Sequence, residues 1–365
     1  VFTAYGVGGA ADRVFASGNP DKPGFDWYSG YEDPSFWPDT GYTKVSRDGR
    51  RVVGYAILGG TLATFLDGAD GERNVVVRQG SLDDKGEALF KITNTLIGEC
   101  AAAPRSFCYM GKEPVFLTRA GVYAVTAEEL TGEKYAQERS FYIRSTLRAA
   151  DGIADAAAAV YRDFYVLSVG GDLYLLDGQQ KTYEKNNPYS SYQYEAYCWP
   201  GIPARCLWTE GEALCFGKAD GSICRFATNV DDPESYSDDG AAIEAYWETS
   251  DFDGRVMFKN KTVTAIAVRL AAAVLTGVKV DAQKRGIWTQ VYDAKEKARF
   301  FDWSYIDFSK FTFSADRTPH TLCGKVKLKK VDKVRFRLRN GEKNEPFGIY
   351  SFGLEWKEPG GNYKR

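Results

Sequence analysis

The chain is poor in the residues from which most catalytic centres are built. Its 365 residues include two methionines and one histidine, His320, which follows Pro319 in an apparent loop. A lone imidazole excludes histidine triads, histidine-rich metal sites and most histidine acid–base schemes, leaving carboxylate chemistry open. Seven cysteines occur without a C-x-x-C pair. An odd count with no such spacing is neither a disulfide framework nor a zinc site, and it points to a reducing compartment. No apolar run reaches the ~18 residues of a membrane helix. No basic stretch followed by an apolar one opens the chain, so no signal peptide is legible. Val1 stands first and leads directly into a strand, which reads as a trimmed or cleaved chain.

What is abundant favours strands and turns. Tyr 23, Phe 22 and Trp 8 lie in a background of 37 glycines, a mixture suited to sheets and tight turns rather than helices. Glycine-centred turns recur at Gly9, Gly60, Gly121, Gly171 and Gly221, each between two short apolar runs. The pace of roughly 50 residues, four strands' worth with a central hairpin, predicts a β-propeller of about five blades. The longer interval before Gly121 is where an insertion or an additional strand pair is expected. Helix is expected only over Glu128–Arg139 and the alanine-rich Asp151–Ala159.

The texture changes at Asp231–Gly240, DDPESYSDDG, the composition of an exposed connection. Calcium-loop spacing is absent there, and neither a metal nor any other cofactor is expected. Beyond it the glycine rhythm stops and longer alternating segments predict a C-terminal β-sandwich. The expected organisation is therefore an all-β chain, with a propeller over 1–235, a sandwich over 241–357 and a polar tail over 358–365. In the segment ending at Trp356, Tyr350, Phe352, Leu354 and Trp356 should share one apolar face. In the hairpin around Lys218–Gly221, Cys215 should stand opposite Cys224, as buried thiols or as a cross-strand disulfide.

Two aromatic stretches interrupt the blades. Pro20–Tyr42 reads as the longest loop and carries Trp27, Tyr28, Tyr31, Phe36 and Trp37 among prolines and acidic side chains; Tyr183–Trp199 carries Tyr192 and Tyr194. Loops this long are uncommon unless functional, and tyrosine and tryptophan are favoured in binding hot spots. These residues are the expected subunit interface, with a sugar platform and self-packing as the other readings. No catalytic pair stands out. Ser46-Arg47-Asp48-Gly49 places its glycine one position too early for the sialidase-type turn and lacks the tryptophan, and the glycine pairs precede strands and not phosphate-binding helices. The chain is therefore expected not to be an enzyme.

The net charge of −2 conceals a local basic run, in which residues 325–343 hold nine basic side chains against Asp332 and Glu342. Strand alternation places Lys333, Arg335, Arg337 and Arg339 on one face, with Val334, Phe336 and Leu338 on the other. Such a row is a solvated face, or a contact to DNA backbone or to an acidic neighbouring subunit.

Several phrases go beyond composition. Ala11-Asp12-Arg13-Val14-Phe15-Ala16-Ser17-Gly18-Asn19-Pro20, Asp33-Pro34-Ser35-Phe36-Trp37-Pro38-Asp39-Thr40-Gly41-Tyr42, Gly80-Ser81-Leu82-Asp83-Asp84, Leu117-Thr118-Arg119-Ala120-Gly121-Val122-Tyr123-Ala124-Val125-Thr126 and Phe347-Gly348-Ile349-Tyr350 resemble virion structural, or packaged-DNA stabilisation, proteins of phages of Gram-positive bacteria. That family is similar in architecture to the tail nozzle, or hub, proteins of short-tailed phages. The resemblance implies a ring subunit of the virion tail, assembled in the host cytoplasm, that extends the DNA conduit and retains the genome. Its implied partners are other copies of itself, portal or adaptor proteins, tail fibres or spikes, and genome DNA. No active-site residue carries over. A carbohydrate-binding or glycan-cleaving propeller, serving as a receptor-binding or cell-wall-directed tail protein, is the alternative, and a bacterial scaffold outside any virion is a third.

Overall fold

A computed structural model describes residues 2–5, 12–58, 60–68, 73–97, 102–111, 113–125, 136–183, 192–256, 259–294, 299–306, 308 and 312–358. The chain divides into two compact units, Val1–Phe226 and Ala227–Arg365. Strands dominate both, and the one described α-helix, α1 (Arg144–Ala149), spans six residues.

The first unit is a series of antiparallel meanders. Sheet I holds β1 (Phe2–Tyr5), β2 (Arg13–Ser17), β3 (Phe25–Tyr28) and β4 (Tyr42–Lys44); sheet II holds β5 (Val52–Leu58), β6 (Thr61–Leu66), β7 (Arg73–Leu82) and β8 (Ala88–Ile97). Sheet III holds β9 (Cys108–Met110), β10 (Glu113–Leu117), β11 (Val122–Val125) and β12 (Ala136–Glu138); sheet IV holds β13 (Ala157–Tyr161), β14 (Phe164–Val169), β15 (Asp172–Tyr183) and β16 (Tyr192–Trp199). Three strands complete sheet V, β17 (Cys206–Glu210), β18 (Ala213–Gly217) and β19 (Ile223–Arg225).

Each sheet packs on the next. Phe15 and Tyr28 of sheet I meet Phe90 of sheet II with ring centroids 4.8 Å apart in both pairs. Phe65 of sheet II lies 4.9 Å from Phe116 of sheet III, Tyr165 of sheet IV donates its hydroxyl to the Ser106 carbonyl at 2.8 Å, and Val166 and Leu175 share a core with Leu214 and Phe216 of sheet V. A middle sheet is thereby covered on both faces. In sheet II, Val76 faces sheet I while Val75 and Val77 face sheet III, which is why its strands read as unbroken apolar runs. The opening strands β1 and β5, β9 and β13, and β13 and β17 adjoin one another. Serial face-to-face stacking with opening strands gathered together is the packing of propeller blades.

Glycine is needed at particular points. The β14–β15 hairpin turns on Gly170 (φ 65°) and Gly171 (φ 93°), the two-residue loop with positive φ at both positions that matches strand twist. On β5, a Cβ at Gly54 would stand 2.1 Å from the Phe107 ring, so only glycine lets sheets II and III close there. The Gly9 turn lies outside the described residues. The long interval before Gly121 contains the ten-residue strands β7 and β8.

The expected helices do not form where they are described. Of the described part of the first patch, residues 136–139, Ala136–Glu138 is β12 and Arg139 follows it, while residues 128–135 lie outside the description. In the second patch a 3-10 turn at Ile153–Asp155 leads into β13. The small side chains of Ala157 and Ala158 suit a strand pressed beside β9 and β17, and that packing overrides alanine's helix propensity. Pro20–Tyr42 likewise contains strand β3 and the start of β4, so the true loop is residues 29–41.

In the second unit, after the short hairpin β20 (Ser237–Asp238) and β21 (Ala241–Ala242), come β22 (Ala245–Glu248), β23 (Lys261–Leu270), β24 (Lys279–Lys284), β25 (Ile287–Asp293), β26 (His320–Val331), β27 (Arg335–Asn340) and β28 (Ile349–Lys357). They form two antiparallel sheets, ordered β22-β27-β24-β25 and β26-β23-β28, that share one core containing Val268, Val280, Phe336 and Leu338. His320 opens β26 and does not lie in a loop. Phe352, Leu354 and Trp356 face this core, but Tyr350 does not: the register shifts between Arg269 and Leu270, Ile349 takes the inward place, and Tyr350 is 67% exposed. A bulge of one residue reverses every side chain beyond it.

Candidate interaction surfaces

The aromatic segment after β3 divides sharply between core and surface. Tyr28 is spent internally, between Phe15 and Phe90, with its hydroxyl on the Ala88 carbonyl at 3.3 Å. Trp27 is half-buried and stacks on Phe25. Tyr31, Phe36 and Trp37 are 59%, 58% and 38% exposed. The loop that carries them is held by its own hydrogen bonds: Gly30 N–H to the Phe36 carbonyl at 2.8 Å, Gly41 N–H to Pro38 at 2.9 Å, and Trp37 Nε1–H to Pro34 at 3.0 Å. Asp33 accepts from the Ser35 hydroxyl and amide, and those bonds hold its carboxyl below the usual range. The result is a braced flap presenting aromatic rings beside Glu32, Asp33 and Asp39.

Tyr192 and Tyr194 belong to the core, a correction to the expected interface. They are 5% and 1% exposed. The Tyr192 hydroxyl donates to Glu113 Oε2 at 2.6 Å, and the buried Arg139 guanidinium lies 3.9 Å from its ring centroid. Desolvation is the main reason the phenols of both tyrosines are pushed up. Of the stretch that suggested a sticky insertion, residues 184–191 lie outside the description.

A buried ion pair joins sheets I and II. Asp26 of β3 pairs with Arg78 of β7, both fully buried, while Arg78 also donates to Thr64 Oγ1 at 2.8 Å and Tyr55 donates to Asp26 at 3.2 Å. Two charges removed from water require such mutual satisfaction. The Asp26 carboxylate is thus committed to Arg78 at the seam between sheets I and II, and that of Glu113 accepts from the Tyr192 hydroxyl.

The row Lys333, Arg335, Arg337 and Arg339 lies on the outer face of β27 and its approach, but it is not a free basic stripe. Asp251 takes Lys333 at 2.9 Å and Arg335 at 3.2 Å. Arg337 pairs with Glu248 of β22 at 2.6 Å, and its guanidinium lies 4.3 Å from the Trp288 ring centroid and 5.2 Å from that of Tyr246. Arg339 donates to Asp281 of β24 at 2.8 Å and to Gln290 at 2.9 Å. The hydrogen bond from Lys333 and the charge of Arg335 hold Asp251 below the usual carboxylate range. What the alternation could not reveal is that the acids stand some 60 to 90 residues away in sequence, on β22, on β24 and in the segment after β22.

The basic residues that do stand clear were counted in the sequence but not assigned to a strand. Lys325, Lys327 and Lys329 are exposed on β26, an edge strand, alternating with the inward-facing Val326 and Leu328. The signal was the K-V-K-L-K alternation itself.

The remaining candidates are structural. Cys215 stands opposite Arg225, and Cys224 opposite Phe216, so the two thiols point to opposite faces of sheet V and are free. The slip of one residue from the expected pairing is enough to separate them. Asp232 caps the 3-10 turn Pro233–Tyr236 by accepting from the Glu234 amide. Among the described residues no group of three or more His, Cys, Asp and Glu gathers as a metal site. A cavity of about 220 Å³ in the second unit is walled by Val230, Pro233, Ala273, Phe300 and Phe347, with Asp231 at its lining.

No protein-family model matches the chain, and no curated protein matches it by sequence. Among solved structures it is similar to an exo-beta-1,3-galactanase of Phanerochaete chrysosporium, in its complex with galactose and, as two single-residue variants, with beta-1,3-galactotriose. In each case identity is 10%, the TM-score is 0.28, and the match covers 94% of this chain and 78% of the other. At that level no residue of this chain takes a role from its counterpart.

Proposed function

We propose that this chain is a structural subunit of a phage tail, a ring component that extends the DNA conduit and helps retain the packaged genome, and that it is not an enzyme. The observation that carries the reading is the braced flap of residues 29–41, which holds Tyr31, Phe36 and Trp37 out to solvent. Rigid aromatic side chains lose little entropy on docking and suit a protein interface. The flap belongs to one of the phrases through which the sequence resembles virion proteins. In this reading the five meanders close into a propeller, the two-sheet unit is a sandwich, and neighbouring copies, portal or adaptor proteins and fibres or spikes bind the flap and other surfaces.

Mass photometry of the purified chain tests it. Ring-sized assemblies are expected, alone or with a portal-type partner, and Tyr31→Ser/Phe36→Ser/Trp37→Ser should leave a folded monomer. A wild-type chain that stays monomeric with such partners and binds or cuts glycans would overturn the proposal in favour of the carbohydrate-directed alternative.

A further inference from the structure

The basic run of residues 325–343 splits into two populations. Lys333, Arg335, Arg337 and Arg339 are paired with Asp251, Glu248 and Asp281. Lys325, Lys327, Lys329 and Lys330 are exposed, and none of the four forms an ion pair with a described residue. Lys330 sits at φ 52°, the left-handed region, where the strand kinks before the buried Val331. The β24–β25 hairpin adds to the same end of the strand: Lys284 donates its Nζ to the Lys329 carbonyl at 2.9 Å. Four exposed lysines therefore form a ridge along β26, with Lys284 against its Lys329 end, and an anion from outside would relieve the mutual repulsion of the four.

We propose that this ridge binds the phosphate backbone of double-stranded DNA without regard to sequence, an inference that deepens the tail reading and rests on it. Alternate residues of a strand stand about 6.8 Å apart, two phosphate steps of ~3.4 Å each measured along the DNA helix axis. Lysine supplies point charges suited to phosphate, and the row lacks the forked donors that read bases. The residues between its lysines are Val326 and Leu328, turned into the core, so no aromatic ring is interleaved to stack unpaired bases. Lysine also guards exposed sheet edges against pairing with other strands. That role does not call for a further cation, Lys284, brought to the row by the β24–β25 hairpin.

The test is fluorescence anisotropy of the full chain with a labelled random-sequence 30-base-pair duplex across a salt series. Four phosphate contacts predict a slope of log K against log salt of roughly −3 to −4. Lys325→Gln/Lys327→Gln/Lys329→Gln/Lys330→Gln should weaken binding at least about tenfold at 0.1 M salt and bring the slope close to zero. Lys327→Glu alone should weaken it severalfold, while Lys333→Gln, from the paired row, should leave it unchanged. No binding by the wild type at low salt, an unchanged slope in the quadruple variant, or equally tight binding of polyglutamate of matched charge would overturn the assignment. Mass photometry on the same variants separates the two ideas: intact rings that no longer bind DNA place the contact on the ridge, whereas DNA binding without rings removes the tail reading and leaves the ridge a DNA site.

Discussion

Asp26 and Arg78 show how one pair of residues can join two sheets. Both side chains are fully buried, and burial is the dominant influence on Asp26, pushing its carboxyl up against the opposing pull of Arg78. Removing one partner strands the other charge in the seam. Asp26→Asn should therefore destabilise the first unit by about 3–5 kcal/mol, read as the shift in its urea midpoint. Asp26→Leu/Arg78→Met, which removes both charges, should recover most of that loss. A null effect of the single change would mean that the pair contributes nothing to holding sheets I and II together. Neither member stands out in the sequence, because Asp26 and Arg78 are separated by 52 residues and only the stacking of β3 on β7 brings them together.

At the scale of elements, strand β27 shows how pairing decides what alternation leaves open. The alternation of residues 333–339 correctly predicts which side chains face outward. Whether those charges are free depends on β22, β24 and the segment holding Asp251, which the register sets. Asp251 provides a test with a definite sign. Its folded carboxyl is lowered by Lys333 and Arg335, so the stability it contributes is present above the unfolded carboxylate value near 3.9 and is lost as pH falls through the folded one. Asp251→Asn should accordingly lower the thermal midpoint at pH 7, with the gap to wild type closing as pH falls below the unfolded carboxylate value and through the folded one. A gap independent of pH would show that the carboxylate charge plays no part.

The whole molecule is two units, each with cores of its own. The cluster around Val268, Phe336 and Leu338 is built within Ala227–Arg365, and those around Phe15, Phe65, Tyr165 and Val166 within Val1–Phe226. A fragment of residues 227–365 should thus fold by itself, giving a β-type circular dichroism spectrum and a cooperative thermal transition. A fragment that melts without cooperativity would show that its core depends on the rest of the chain.

By itself the sequence determined the class of fold and much of its punctuation. Val52–Leu58, Thr61–Leu66 and Phe164–Val169 are strands because β-branched and aromatic residues run between glycines, and Gly170-Gly171 admits only a tight hairpin. Such features are local, fixed by backbone sterics and side-chain shape. Tertiary structure decided the rest. It turned the alanine run at 157–159 into a strand, moved Tyr350 outward through a bulge, put Tyr192 and Tyr194 in the core, and separated Cys215 from Cys224 by one residue of register. It also neutralised one basic row and left another exposed. Those outcomes turn on which distant strand lies opposite, since burial and pairing are properties of neighbours in space and alternation along the chain carries no record of them.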